Sequence, residues 1–269
     1  MNNVSYTAVV AAYPSDSRTF TFHLVCQEQT TPAHVRIRNR LKRRFKTSLM
    51  RVLKFAKHET LRKMHRYLHS HRALTGQEHP GAMRIAFDQG ELAQDLQSLL
   101  YSEMPGMLSE SAGAALPSQD VLDFISRRSA LLSGLPDELY QRVLASVSEG
   151  LTTGESLADI SNRINQTFND IEQGTADVIA DTETAAAFNY ATNNAARTAG
   201  VQFKQWVHGG SLVPRADHLA IDGLVVPFDE PFPVGNPPLM YPHAPNGSPE
   251  DVINCSCVAI PATADQYNG

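Results

Sequence analysis

Residues 206–261 read WVHGGSLVPRADHLAIDGLVVPFDEPFPVGNPPLMYPHAPNGSPEDVINCSCVAIP, and no other part of the chain concentrates so many demanding residue types. The run holds the only Trp, two of the three Cys and most of the sixteen Pro. Proline removes a backbone donor and glycine weakens a helix, so a long helix is excluded here and short strands joined by turns are expected. Ile221-Asp222-Gly223 is a turn signal ahead of the apolar Leu224-Val225-Val226. It predicts a type I′ hairpin with 219–221 and 224–226 as arms. Arg215 and His218 would stand at its mouth. There the planar guanidinium can donate to a carboxylate, with Asp217, Asp222, Glu230 and Glu250 as candidates, or to several backbone carbonyls. The reading preferred from the residues is that this network ties loops together. A last strand is expected over 256–260.

Upstream of this run the pattern turns helical. The segment 201–207 alternates as a strand leading into the motif region. The helix expected over 176–199 carries Thr182-Glu183 and an Ala-rich face of Ala185, Ala195 and Ala199 with Phe188, and ends at Gly200. Glu183 suits a salt bridge, with Arg215 as the proposed partner. Before it come three helices. The first, 119–133, is capped by Ser118 and ended by Gly134. The second opens at Pro136 with Leu139, Val143, Val147 and Leu151 as its stripe. The third starts from the Ser156/Asp159 capping box and carries Leu157, Ile160, Ile164 and Phe168. The segment 102–117, SEMPGMLSESAGAALP, is rich in small and turn-forming residues and is read as a linker. A short helix is expected at 91–101 and a loop at 75–90.

The N-terminal part has a different character. Residues 3–12 and 18–25 are rich in strand formers around the turn chemistry of 13–17, which predicts a β-hairpin. From Pro32 the apolar positions Leu41, Phe45, Leu49, Val52, Ala56, Met64 and Leu68 recur at helical spacing, and no Gly or Pro interrupts 33–75. A helix of about 35 residues, on the order of 50 Å long, follows. Between Arg36 and Arg72 stand fourteen Lys/Arg against one acid, Glu59; the remaining nine basic residues face twenty-seven acids, so a net charge of −5 hides a strongly basic rod. Charge of one sign at that density is favoured by an anionic partner, which points to the phosphates of nucleic acid ahead of an acidic protein surface or a membrane. The residues assigned to nucleic acid are Arg36, Arg38, Arg40, Lys42, Arg43, Arg44, Lys46, Lys54, Lys57 and Lys63.

The first thirty residues lack a basic start and a continuous apolar core, so no secretory signal is read, and no window approaches the roughly 18 apolar residues of a membrane span. Three cysteines, two of them one residue apart, imply no disulfide framework. A cytoplasmic, reduced chain is expected. Cys255 and Cys257, with His218 and one of His208, His243 or Asp222, supply the ligand types of a zinc site, yet a second Cys pair is missing. The preferred reading packs both thiols in a small core, with no metal and no cofactor.

The ordered series of 180–184 (Ala-Asp-Thr-Glu-Thr), Trp206, Arg215, His218, Asp222-Gly223, Phe228, a Pro/Gly-rich loop and Asn254-Cys255-Ser256-Cys257 resembles the phage Mu protein F-like family. These are minor head, or head morphogenesis, proteins of tailed bacteriophages. The resemblance spans roughly 120–261. It departs at Asp181 and Ser256, where the family often has Arg, and in lacking an acid shortly before Arg215. It implies that Glu183, Trp206, Arg215, His218, Asp222, Gly223, Asn254, Cys255 and Cys257 form a structural motif. It also implies partnership with the portal and other capsid proteins inside the shell near the portal vertex, after assembly in the host cytoplasm. Double-stranded DNA is the expected further partner, and neither a membrane nor a small-molecule substrate is expected.

The whole is therefore expected to be an α+β protein: a hairpin at 1–30, a basic helical region at 31–101, a linker at 102–117 and the motif-bearing domain at 118–269. No catalytic residue is assigned. The competing reading is a phage nuclease or toxin that uses Glu183, Arg215, His218 and Asp222 as an acid/base cluster beside a phosphate-binding Arg.

Overall fold

The computed structural model describes residues 6–7, 23–24, 32–70, 87–209 and 213–267. The architecture is α+β as expected, with helices over most of the described length and one small antiparallel sheet near the C-terminal end. At the N-terminal end the two short strands β1 (Tyr6–Thr7) and β2 (His23–Leu24) pair antiparallel, in the sense the expected hairpin requires; its turn at 13–17 lies outside the described residues. Six long helices follow among the described residues: α1 (Pro32–Ser70), α2 (Gln89–Ala112), α3 (Ser118–Leu132), α4 (Leu135–Thr152), α5 (Leu157–Asp170) and α6 (Ala176–Thr198). The chain forms two compact units, one of 1–42, 107–116 and 184–269, the other of 43–106 and 117–183, so α1, α2 and α6 each run from one unit into the other. Three of the four unit boundaries thus fall inside helices, and the fourth, at 116/117, lies in the turn before α3.

In the helical unit the apolar stripe of α1 buries Phe45, Leu49, Leu53, Thr60 and Met64. Leu53, not Val52, is the core position, because the stripe advances in steps of four from Leu41 through Phe45 and Leu49. Leu68 and the loop at 75–86 lie outside the side chains described. The segment read as a linker is mostly helix, since α2 continues through Pro105 to Ala112. Proline removes its own N–H bond to the preceding turn and crowds the carbonyl four residues back. That loss is offset where Leu99, Leu100, Met104, Met107, Leu108 and Ala112 keep an apolar stripe buried on both sides of the proline.

Helices α3 to α5 follow their expected bounds closely. Ser118 does not cap α3; it lies in its first turn, with Pro117 at the cap position and no side-chain cap bond. The Ser156/Asp159 box does form, with Asp159 N donating to Ser156 Oγ and Ser156 N to the Asp159 carboxylate, each at 3.3 Å. It starts α5 so that Ile160, Ile164 and Phe168 are buried. A π-helical turn, Ile171–Thr175, then joins α5 to α6.

The unit of 1–42, 107–116 and 184–269 holds the sheet, ordered β4-β3-β5 and antiparallel throughout, with β3 at Phe203–Val207, β4 at Val225–Pro227 and β5 at Val258–Ala262. The last strand lies two residues beyond the expected 256–260. In β3 the buried face is Lys204 and Trp206. The expected type I′ hairpin is not formed. Residues Ala216–Ala220 make a short helix, α7, and β4 pairs with β3 instead of with 219–221. The turn closes by Leu224 N donating to Ile221 O at 3.0 Å, and only Gly223 adopts positive φ, +83°, whereas a type I′ turn needs it at both central residues. Trp206 decides the outcome: its N–H donates to Leu224 O and its carbonyl accepts from Gly223 N, both at 2.9 Å, so the turn is laid against β3.

Candidate functional site

Around Trp206 the sheet unit assembles almost all the motif residues. Trp206 is fully buried, with the His218 ring edge-on at 5.2 Å on one side and Phe232 edge-on at 5.2 Å on another. Phe232, Val234, Leu239, Tyr241, Ala244, Cys255 and Cys257 complete this core. The Pro-rich loop therefore has the job of wrapping an aromatic centre that a three-stranded sheet alone is too small to cover.

Among the described residues Arg215 binds no carboxylate. Its Nε donates to Glu250 O at 2.5 Å and its Nη2 to Ile253 O at 2.6 Å. These are carbonyls at the end of the four-residue helix α8, Pro249–Val252, which no intrahelical donor satisfies. The fork thus pins the chain just before Asn254, as the carbonyl option read from the sequence requires. Asp222 accepts from His208 N at 2.7 Å and fastens the turn to the end of β3. At Gly209 the backbone passes so close to Ser256 that a Cβ would sit 2.0 Å from its carbonyl oxygen. Arg38 of α1 donates to that same Ser256 carbonyl at 3.0 Å. Asn254 holds a left-handed φ of +56°, which Asn tolerates better than most residues.

Beyond Asn254 the chain brings Cys255 and Cys257 against His218. Their sulfurs lie 3.5 and 3.7 Å from its Nδ1, and the three residues are 4%, 2% and 1% exposed. His243, at φ +63°, places its Nε2 2.8 Å from Cys255 O. The two thiols titrate as a pair: the Cys257 thiol's hydrogen bond pushes Cys255 well down, with the histidines His218 and His243 adding to it, and Cys255 in turn pushes Cys257 up, helped by burial. One proton shared between two sulfurs gives that split. His208, Val213, Pro214, Arg215, Asn254 and Ser256 line a small cleft that reaches these three side chains.

Three buried polar residues were not legible as a set. Asn189 of α6 donates to Cys257 O and accepts from Ala259 N, both at 3.1 Å, so its amide serves β5 as a strand edge would. Lys204 donates from Nζ to Met240 O at 2.7 Å and stands over the rings of Phe228 and Phe232 at 5.4 and 5.3 Å. Burial, with Arg197 adding to it, holds its pKa at about 8. Arg128 is the third. It is Arg128, not Arg215, that binds Glu183, through Nε to Oε2 at 2.6 Å and Nη2 to Oε1 at 2.5 Å, with both residues buried inside the helical unit.

These assignments leave the four residues of the nuclease reading each committed elsewhere: Glu183 to Arg128, Arg215 to two carbonyls, Asp222 to a backbone N–H, and His218 to two thiols.

The basic residues assigned to nucleic acid differ in their surroundings. Arg38 is held by Ser256 O, Arg40 by Glu110, Arg44 by Glu103, Lys46 by Asp177, Lys57 by Glu172 and Asn169, and Lys63 by Glu91. Lys42 is half-buried. Arg36, Arg43 and Lys54 are exposed and, like Arg51, make no ion pair among the described residues. In the helical unit Arg43, Arg51 and Lys54 lie on the stripe of α1 opposite Phe45 and Leu49, together with the exposed His58.

Among known proteins, an uncharacterized protein of Bacillus subtilis (strain 168), YqbB, is 26% identical over 189 residues, covering 66% of this chain and 62% of that protein. The chain thus spans less than two thirds of that relative's length. No solved structure matches. The match that bears on the motif series of Trp206, Arg215, His218, Asn254, Cys255 and Cys257 begins inside α4 and ends in β5: residues 141–260 match the family described as Phage Mu protein F like protein, the family the series resembles.

Proposed function

We propose that this chain is a phage head morphogenesis protein, a minor component of the head that acts in assembly near the portal and touches DNA through α1. The family match supports the head protein. The DNA contact rests on one observation: Arg43, Arg51 and Lys54 stay exposed on one stripe of a helix whose other cations are mostly neutralised by the chain's own acids. Internal pairing removes those cations from phosphate binding, and the exposed stripe is what remains for a polyanion. Portal and capsid proteins are the further partners, and the interior of the virion is the location. No described helix is long and apolar enough to cross a membrane.

The test is binding of the full chain to duplex DNA across a salt series. Replacing Arg43, Arg51 and Lys54 with Gln is expected to reduce the log–log salt slope by about 0.9 for each phosphate that is no longer neutralised, hence by about 2 to 3 in all. Replacing the ion-paired Arg44 and Lys46 is expected to change it by less than half as much. Equal effects from the two sets, or none from the first, would overturn the DNA assignment and leave the head protein reading to stand on the family alone.

A further inference from the structure

Cys255, Cys257 and His218 take no part in the DNA stripe, and their arrangement is more specific than a small core requires. Each offers one ligand atom, and the three atoms lie within 4.8 Å of one another in a fully buried place. A tetrahedral zinc with Zn–S of about 2.3 Å and Zn–N of about 2.0–2.1 Å separates sulfur from nitrogen by about 3.6 Å along each edge. The two observed separations are 3.5 and 3.7 Å. Hydrogen bonding explains this less well. His218 Nδ1 makes one hydrogen bond at a time, so of two nearly equidistant sulfurs one is left to pair with the other thiol; one cation serves both.

The surroundings are those of a ligand set held from outside. His243 contacts the Cys255 carbonyl, and Asn254 bends the backbone just before the pair. Metal-bound imidazoles commonly give their second N–H to a carboxylate. His218 Nε2 is buried with no hydrogen-bond partner in the described structure, and Asp217 and Asp251 bring oxygens within 4.8 Å of a His218 nitrogen. The cleft beside the cluster, which His208 lines, leaves room on the fourth side.

We propose that Cys255, Cys257 and His218 bind one tetrahedral zinc ion, with the fourth position facing the His208 cleft. The site ties α7 and the segment before β5 together beneath Trp206, and so revises the metal-free reading of these thiols. Its role is structural, because the ligands sit in the core that Trp206 organises.

The experiment is metal analysis of the full-length chain produced with zinc in the medium, with a parallel cobalt titration of the chelator-stripped protein. One zinc per chain is expected, along with a cobalt spectrum showing thiolate charge transfer and the intense visible bands of a tetrahedral site. Cys255→Ser/Cys257→Ser and His218→Asn should each lose the metal, while Cys26→Ser keeps it. Should the cysteine variant fail to fold, the cobalt spectrum of the wild-type chain decides alone. Wild-type chain with no zinc above the buffer and no thiolate band, or metal retained by the double cysteine variant, would overturn the proposal. Either result leaves the head protein reading untouched.

Discussion

Arg128→Met tests the helical unit where its energetics are most concentrated. Arg128 and Glu183 are 4% and 2% exposed and meet through two parallel hydrogen bonds at 2.6 and 2.5 Å. Bidentate geometry of this kind is the strongest form of ion pair, but desolvating both partners offsets much of the gain. The net worth of the pair against an apolar replacement is therefore small, while the cost of removing one partner is large. Arg128→Met strands a buried carboxylate and is expected to destabilise by about 3–5 kcal/mol. At about 2–4 °C for each kcal/mol in a chain of this size, the melting temperature should fall on the order of 10 °C. Glu183→Leu should cost a similar amount. The double variant should recover most of the loss, leaving about 1 kcal/mol and a coupling energy of several kcal/mol in the double-mutant cycle. Urea denaturation followed by far-UV circular dichroism gives all four corners. A single-variant loss below about 1 kcal/mol would refute the burial argument, and additive losses would show that the two charges do not depend on each other.

Three further outcomes follow from the sheet unit. Gly209→Ala places a Cβ 2.0 Å from Ser256 O, so the β3–β5 end must spread; a loss of at least about 1–3 kcal/mol in chemical denaturation is expected, and a neutral result would contradict the close approach. Arg215→Lys keeps the charge but not the fork, so at least one of the bonds to Glu250 O and Ile253 O is lost, with a cost of about 1.5–3 kcal/mol that Lys does not rescue relative to Arg215→Ala. Lys204 has a folded pKa of about 8 against an ordinary 10.5, so the unfolded chain holds the extra proton between those values and stability should rise as pH climbs through that window, by at most about 3 kcal/mol. Lys204→Met should flatten that rise; an unchanged pH profile would show that Lys204 is not its source.

The sequence was most informative where one signal acts over a few residues. The Ser156/Asp159 capping box, the proline near the start of α4 and the four-residue steps of Leu41, Phe45 and Leu49 all act within one or two turns, and all hold. The errors arise where a distant partner decides. Asp222-Gly223 carries the same local signal for a hairpin or for a turn laid on another strand, and the choice was made by Trp206, more than a dozen residues earlier. Pro105 reads as a helix breaker until the buried Met104, Met107 and Leu108 around it are known. Glu183 and Arg128 are 55 positions apart, and no spacing rule joins them. The paired fate of most α1 cations was hidden for the same reason, since Glu103, Glu110, Asp177, Glu172 and Glu91 come from other helices. At the motif, residue order alone marked His218, Cys255 and Cys257, but their convergence on a single nitrogen needed coordinates.

The most direct test of the whole account is ultraviolet cross-linking of DNA-filled heads carrying this chain, followed by mass spectrometry of the peptide–nucleotide adducts. The account predicts that the chain is a component of purified heads and that adducts concentrate in the α1 peptides that hold Arg43, Arg51 and Lys54, and diminish when those three are Gln. A chain absent from the heads, or present with adducts confined to other segments, would contradict it.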